Sequence, residues 1–379
     1  MIHHPSPDLL PAMITSSGIL TIDLHAICAN WHFLKNQVAP HVDVAAVVKA
    51  NAYGLGAVPV VRALRKEGCT TFFFATKEEA LASGLNGEHC LKIVLSGVRS
   101  GDEPFFVEGQ LTPVLYSLAD VQRWNAYAKN CCKRLPCILK VDTGMTRMGM
   151  SIEELEAFCE AHASIHIAPL FLMSHLACAD TPSHPANQRQ LQLFKQALDI
   201  AQVRFPEIKA SLANSAGILL GADWHFDLVR PGAALYGINP VSGIPNLLKP
   251  VITLSLPVLQ IRSLQHDAYV GYSATHFAKA GSRLAVVAGG YADGIHRTLG
   301  FKPLAQFNGM AFEAVGRVSM DSCVFDISQC PENRLPQVGD YLEVVNESLS
   351  LNFLMERNAS LGYEVLNSLG TRFHRIYQE

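Results

Sequence analysis

The sequence predicts an α/β chain: a (β/α)8 barrel of the TIM type over residues 1–249, followed by a mainly β domain over residues 250–379. Three observations carry this. Short apolar runs alternate with amphipathic stretches from about Val42 to Leu228, the alternation stops near Pro250, and the chain beyond it reads as strands divided by turn signals. Alternation of strand and helix over such a length implies a parallel sheet with crossover helices.

Eight apolar runs supply the expected barrel strands. They are Val44–Val48, Thr71–Ala75, Leu91–Leu95, Pro113–Tyr116, Ile138–Val141, Leu170–Met173, Ala210–Leu212 and Asp227–Val229. Helical spacing fills several gaps, at Val60–Glu67, Leu118–Lys129, Ile152–His162 and Gln188–Phe205. Ser151 and Glu154 form a capping-box pattern ahead of the third helix. An eightfold closed barrel fits this count better than an open sheet. After Pro250 the expected strands are Val251–Ile261, Ser282–Ala288, Met310–Val315, Ser322–Ile327 and Tyr341–Val345, with a helix at Leu351–Asn358. Leu20–Leu24 is a further apolar run that suits either domain.

Composition narrows the function. The chain has 379 residues, 49% hydrophobic and 17% charged, with a formal net charge of -3. It carries no basic footprint for nucleic acid, no apolar run of about 18 residues for a membrane span and no export signal in its opening residues. These features predict a cytoplasmic protein. The ten cysteines are scattered without metal-ligand spacing, so they read as reduced thiols and no metal is expected.

The chemistry begins at Lys49, in Val47-Val-Lys-Ala-Asn-Ala-Tyr-Gly-Leu-Gly56. A lysine at the end of a buried strand loses part of its ammonium hydration. Its amine becomes nucleophilic and suits a Schiff base to a carbonyl carbon. A strand-end lysine reaching solvent is the plainer alternative. Polar residues recur at the same topological place: Arg147 after Ile138–Val141, His175 after Leu170–Ser174, Asn214 and Ser215 after Ser211–Ala213, and Arg230 after Phe226–Val229. In a parallel barrel these ends open on one face, where barrel enzymes keep their sites. Ser215 and the Gly232 backbone suit a phosphate, Arg147 a carboxylate, and His175 an orienting role. Arg230 has a candidate ion-pair partner in Asp227. In the second domain Gly271 precedes Tyr272, and small residues follow it. That spacing suits a loop presenting a phenol.

Taken in order, these blocks resemble the alanine racemases from about Leu20 to Tyr377. The blocks are VVKANAYGLG, LKVDTGMTRMG, MSHLACAD, LANSAG, FDLVRPGAALYG, GYSAT, GGYADG, GRVSMD and GYEVLNSLGTRFHRIY. The resemblance implies interconversion of L- and D-alanine with pyridoxal 5'-phosphate, in a homodimer with shared active sites. It implies that Lys49 binds the cofactor and acts as one base, and that Tyr272 of the partner subunit is the other. His175 would orient Tyr272 within the cofactor site, and Arg230 would sit on the pyridine nitrogen. Tyr53, Ser215, Gly232, Ala233 and Tyr363 would hold the phosphate. Arg147 and the backbone of Met320 of the partner subunit would hold the substrate carboxylate. Lys140 matches a lysine carbamylated in many relatives, beside Arg147. Tyr291, Arg297 and Asp321 match residues lining the entry channel, with Arg317 in support. Ala233, Ser273, His276 and Gly289-Gly290 depart from the usual pattern and bear on channel shape.

An arginine cannot accept a hydrogen bond from a protonated ring nitrogen, as the carboxylate that most pyridoxal enzymes place there does, so the ring should stay unprotonated. This separates the family from related decarboxylases. The product implied is D-alanine for peptidoglycan, or the same reaction run in alanine catabolism. The alternatives weighed are a broader amino-acid or serine racemase and a non-catalytic pyridoxal-phosphate-binding protein.

Overall fold

The structure, a computed structural model, describes residues 18–85, 87, 89–161, 164–295, 304–358 and 362–379. The chain divides into two compact units. One holds Ala26–Lys249, and the other holds Pro250–Glu379 with the segment ending at His25.

In the first unit seven strands lie parallel and in sequence order. They are Ala46–Val47, Thr71–Phe74, Leu91–Val94, Leu111–Leu115, Leu135–Lys140, Ile167–Met173 and Lys209–Ser211. The eighth, Leu228–Val229, pairs in parallel with Asp43–Val44, which runs on into Ala46–Val47. Asp43, Ala45 and Val47 donate their N–H groups to the carbonyls of Asp227, Val229 and Pro231 at 2.9, 3.0 and 2.9 Å. On its other side the eighth strand is tied to the seventh, through Asp227 N–H to Ala210 O at 3.1 Å and Arg230 N–H to Ala213 O at 3.0 Å. First and last strands therefore meet, and the sheet is a closed (β/α)8 barrel.

Strand side chains alternate faces. One alternating set, which includes Val47, Phe73, Ile93, Val114, Ile138, Phe171, Met173 and Leu228, forms a single buried cluster drawn from seven of the eight strands. This is the filled barrel interior. Helices cover the outside, among them Ala57–Lys66, Leu118–Asn130, Ile152–Glu160 and Pro185–Arg204. Ser151 Oγ accepts from Glu154 N–H while the Glu154 carboxylate accepts from Ser151 N–H, at 3.1 and 2.9 Å. The capping box is formed as read. Pro185 enters at the first helical position, where its missing N–H costs nothing.

The second unit is mainly β. Its sheet runs Met310–Glu313, Leu304–Phe307, Tyr341–Val345, Ile252–Ser263, Ile19–Asp23, His374–Gln378. The long strand Ile252–Ser263 changes partner along its length. Its first half pairs with Tyr341–Val345 and its second with Arg283–Ala288, which in turn pairs with Ser322–Asp326. One assignment changes. The expected division gave residues 1–249 to the barrel, but Ile19–Asp23 sits inside the second unit's sheet, antiparallel to Ile252–Ser263 and parallel to His374–Gln378. Pairing on both edges satisfies its backbone, and Leu20 and Ile22 become fully buried. Among the described residues no helix is long and apolar enough to cross a membrane.

Phe73 is fully enclosed in the barrel interior. Phe73→Ala is expected to destabilise the barrel by about 3–5 kcal/mol, read as a lowered midpoint for its transition in urea.

Candidate active site

The alternation that fills the barrel also builds the site. Two residues beyond Val47 on the inward line stands Lys49, beyond Ile138 stands Lys140, beyond Met173 stands His175, and beyond Leu228 stands Arg230. The apolar layer thus gives way to a cationic one at the carboxyl ends of the strands. Lys49, Lys140, Arg147, Arg230 and His175 lie within electrostatic reach of one another.

Burial, followed by the Arg147 charge, holds the Lys49 amine below its ordinary range, while Glu79 opposes this. Burial first, then Arg230 and Arg147, pushes Lys140 down to about 8. Burial and the Arg230 charge hold His175 well below its usual value, so its ring is neutral near pH 7. Burial pushes the Arg230 guanidinium down to about 9, still charged at neutral pH. Two carboxylates stand near these groups, and both are engaged by backbone. Asp142 accepts the N–H groups of Gly144, Met145 and Arg147 at 2.8, 2.9 and 3.0 Å. That clasp shapes the loop that carries Arg147. Burial would raise the Asp142 pKa, but these backbone donors outweigh it and hold the carboxyl low. Glu79 accepts from Ala50 and Ala75 N–H. Among the described residues this layer is therefore rich in positive charge, with both nearby carboxylates engaged, and it calls for an anionic ligand.

Arg230 is buried and rigidly held. Its guanidinium donates to Ser211 Oγ at 2.6 Å, Ser174 O at 2.6 Å and Leu212 O at 3.2 Å. The suggested pair with Asp227 is not made, because the Asp227 carboxylate accepts from Ala210 N–H at 2.7 Å and helps close the barrel. Arg230 also lies 3.5 Å from His175 Nδ1. A guanidinium only donates, so Nδ1 faces it unprotonated and Nε2 carries the ring proton.

A second cluster is shaped by close approach. Ser215 Oγ accepts from Gly232 N–H at 2.9 Å and Ala234 N–H at 3.2 Å. A Cβ on Gly232 would stand 2.5 Å from the Tyr53 hydroxyl, so only glycine admits that phenol. The Tyr53 ring packs on buried Tyr236 at 4.7 Å between centroids. Serine hydroxyl, glycine backbone and phenol thus converge on one spot, with Ala233 next in the chain.

Lys49 is followed by an uncommon backbone. Ala50, Asn51, Ala52 and Tyr53 have φ of 54, 55, 53 and 54°. Four successive non-glycine residues in the left-handed region each carry a cost of about 1–2 kcal/mol. Such strain concentrates at functional sites.

The second unit carries its own candidates. Tyr272 is 63% exposed at the tip of a hairpin formed by Ala268–Val270 and His276–Ala278. Gly271 precedes it with φ 71°, and a Cβ there would press on Arg317 N at 3.1 Å. Ser273, a departure from the family pattern, takes φ 62°, and its hydroxyl accepts from the Arg317 guanidinium at 3.0 Å. Arg317 thus bonds to the residue that follows Tyr272. Tyr291 and Met320 lie on adjoining segments: Tyr291 N–H donates to Ser319 O at 3.0 Å and Ala292 N–H to Met320 O at 3.1 Å. Asp321 and the buried Asp293 are bridged by Arg372, with three contacts at 2.7 Å. Tyr363 is exposed on the helix Gly362–Ser368. Arg297 lies outside the described residues.

Three contributors were missed from sequence. Glu79 was hidden inside a routine pattern, Thr76-Lys-Glu-Glu79, which reads as a helix cap. Gln190 clamps the His175 segment, donating to His175 O at 3.0 Å and accepting from Ala177 N–H at 2.9 Å. Arg372 is 79 residues from Asp293, beyond any local signal.

A parallel barrel with a basic inward layer and a desolvated lysine is the architecture of an enzyme that engages an anionic, carbonyl-bearing ligand. The comparisons specify the family. The alanine racemase N-terminal domain profile matches residues 22–240, and the alanine racemase C-terminal domain profile matches residues 251–377. The chain belongs to the alanine racemase family. It is 42% identical over 364 residues to the alanine racemase of Rhodospirillum rubrum, covering 96% of each chain. It is likewise 42% identical to the catabolic alanine racemase of Agrobacterium fabrum, covering 96% of this chain and 92% of that protein. The crystal structure of the Bartonella henselae alanine racemase with covalently bound pyridoxal phosphate superposes with a TM-score of 0.89 at 38% identity, covering 96% and 100% of the two chains.

The Lys140 result fixes a pH dependence. The folded protein holds this ammonium at about 8 against 10.5 when free. Below about pH 8 both states carry the proton, and folding bears the full cost, about 3 kcal/mol. Between about 8 and 10.5 the folded state sheds the proton first, so stability rises with pH. In buffers free of carbon dioxide, Lys140→Met should be more stable than the parent below pH 8, with the gain vanishing toward 10.5 in pH-dependent melting curves.

Proposed function

We propose that this protein interconverts L-alanine and D-alanine with pyridoxal 5'-phosphate held at the barrel mouth. The observation that carries the reading is the cationic layer around Lys49, in which, among the described residues, both nearby carboxylates are engaged by backbone and Arg230 takes the place of an acid. The donor set fits the cofactor. Ser215, the Gly232 and Ala233 backbone, Tyr53 and Tyr363 would hold its phosphate, Arg230 would serve its ring nitrogen, and the Lys49 amine would anchor its aldehyde end. When bound, the cofactor supplies an electron sink that acidifies the substrate α-proton.

The chain's own groups handle that proton. Lys49 Nζ takes or returns it on one side of the substrate, and Tyr272 Oη of a second copy does so on the other. Opposed bases account for inversion at carbon, since the proton lost on one side is replaced on the other. Neutral His175 donates its Nε2 proton to the Tyr272 oxygen and favours the phenolate form needed of a base. Arg147 and the Met320 N–H of the second copy would hold the substrate carboxylate, while Tyr291 and Asp321 would line the approach. The exposure of Tyr272 within its own unit supports delivery to another chain, hence a homodimer with shared sites. The Lys140 amine, near 8, has enough neutral form to react with carbon dioxide, and the resulting carbamate would answer the Arg147 charge. Ten cysteines free of disulfides suit a reducing compartment such as the cytoplasm.

Incubation with L-alanine should yield D-alanine only with the cofactor present. Tyr272→Phe should lower turnover by about 10²–10⁴-fold. Neither Lys49→Ala nor Tyr272→Phe alone should be active, yet mixing and refolding the two should restore activity, because a mixed dimer has one intact site. Failure of the mixture would remove the shared-site arrangement.

Gly232→Ala, which places a methyl against Tyr53, should weaken pyridoxal phosphate at least tenfold, by about 1.4 kcal/mol, and weaken unphosphorylated pyridoxal far less. Equal losses in equilibrium titration would place the phosphate elsewhere.

A further inference from the structure

Parallel pairing between the Lys49 strand and the next strand ends abruptly. Val48 N–H still donates to Phe73 O at 2.9 Å. Beyond it the chain turns into the left-handed segment at Ala50, and the ladder can no longer continue. Two backbone donors are left there, Ala50 N–H and Ala75 N–H. The Glu79 carboxylate receives both: Oε1 from Ala50 at 2.8 Å and Oε2 from Ala75 at 2.8 Å. One side chain thus substitutes for the missing rung.

The geometry of Glu79 is unusual for its place. It occupies the third position of the helix Lys77–Leu81, whose cap Thr76 accepts from Glu79 N–H at 3.4 Å. In a capping box the glutamate would reach back to the N–H of the cap residue itself. Here it reaches past Thr76 to Ala75 and across to the neighbouring strand. Further bonds of the left-handed turn are local in sequence, such as Ala52 N–H to Val48 O, Gly54 N–H to Ala50 O and Ala57 N–H to Asn51 Oδ1, each at 2.8 Å. Glu79 anchors the first residue of the turn to another strand.

We propose that Glu79 is a positioning residue for Lys49, splinting the start of the left-handed turn to the adjacent strand and so fixing where the Lys49 amine points. The proposal rests on Lys49 as the reactive amine. A second consequence is electrostatic. Lys49 feels the charges of Arg147 and Glu79, and Lys140 and His175 lie within its electrostatic reach. Glu79 is the carboxylate that counters Arg147 at Lys49. Removing its charge while keeping its size should leave the Lys49 amine deprotonated at lower pH.

The test uses the whole chain with cofactor removed, and reads acylation of Lys49 by an amine-selective reagent across a pH series by mass spectrometry. Glu79→Gln keeps one carbonyl acceptor and loses the charge. Its Lys49 should acylate about threefold faster near neutral pH, corresponding to a half-unit downward displacement of the profile. Glu79→Asp keeps the charge but is too short to span both donors. It should hold the labelling profile near the parent's. Both variants, with cofactor restored, should lose at least tenfold in kcat while KM for alanine changes little. A Glu79→Gln protein with parental labelling and parental kcat overturns the proposal, even if its melting temperature falls, because Glu79 would then be only structural. A parent that racemises no alanine would remove the proposed function while leaving the labelling comparison intact.

Discussion

Three backbone hydrogen bonds, from Asp43, Ala45 and Val47 to Asp227, Val229 and Pro231, join the first barrel strand to the last. Everything at the carboxyl face depends on that closure. An open sheet would leave Lys49 and Arg230 at opposite edges, many strands apart. Closure makes them neighbours and turns a period-two pattern into concentric layers. The inward line passes from Val47, Ile138, Met173 and Leu228 to Lys49, Lys140, His175 and Arg230. The apolar layer excludes water from beneath the polar one. That exclusion is why the lysines are easier to deprotonate and the histidine stays neutral.

The cost of this layer is concentrated positive charge. Asp142 and Glu79 temper it, yet each spends its oxygens on backbone N–H groups, and so shapes a loop as well as supplying charge. Asp142 fixes the Arg147 loop, and Glu79 the turn after Lys49. Arg230 is held by a hydroxyl and carbonyls in place of an acid. A guanidinium so held remains charged and donates to whatever anion or ring nitrogen arrives. The residual demand for negative charge is the strongest physical reason to expect a phosphate and a carboxylate here.

The second unit follows a different logic. Within it Arg372 binds Asp293 and Asp321, and backbone bonds set the segments bearing Tyr291 and Met320 against each other. From this frame the Tyr272 hairpin projects with its phenol exposed. Ser273 shows how a departure from the family pattern is absorbed: the positive φ that favours glycine is offset by a bond from Arg317.

Much was determined by the sequence alone. Alternating apolar runs placed eight strands, because a parallel strand buried on both faces must be apolar and short. The Ser151–Glu154 box placed a helix start, because its donors and acceptors are local. Lys49, Arg147, His175, Ser215 and Arg230 could be nominated as candidates because strand ends can be counted. Tertiary structure decided the rest. The pairing of Ile19–Asp23 with His374–Gln378, more than 350 residues away, has no local signature. Neither does the choice of Asp227 for Ala210 over Arg230, nor the reach of Glu79 from a helix cap to the lysine's turn. Each of these depends on which donors the folded backbone leaves unpaired, and only closure of the barrel and sheet determines that.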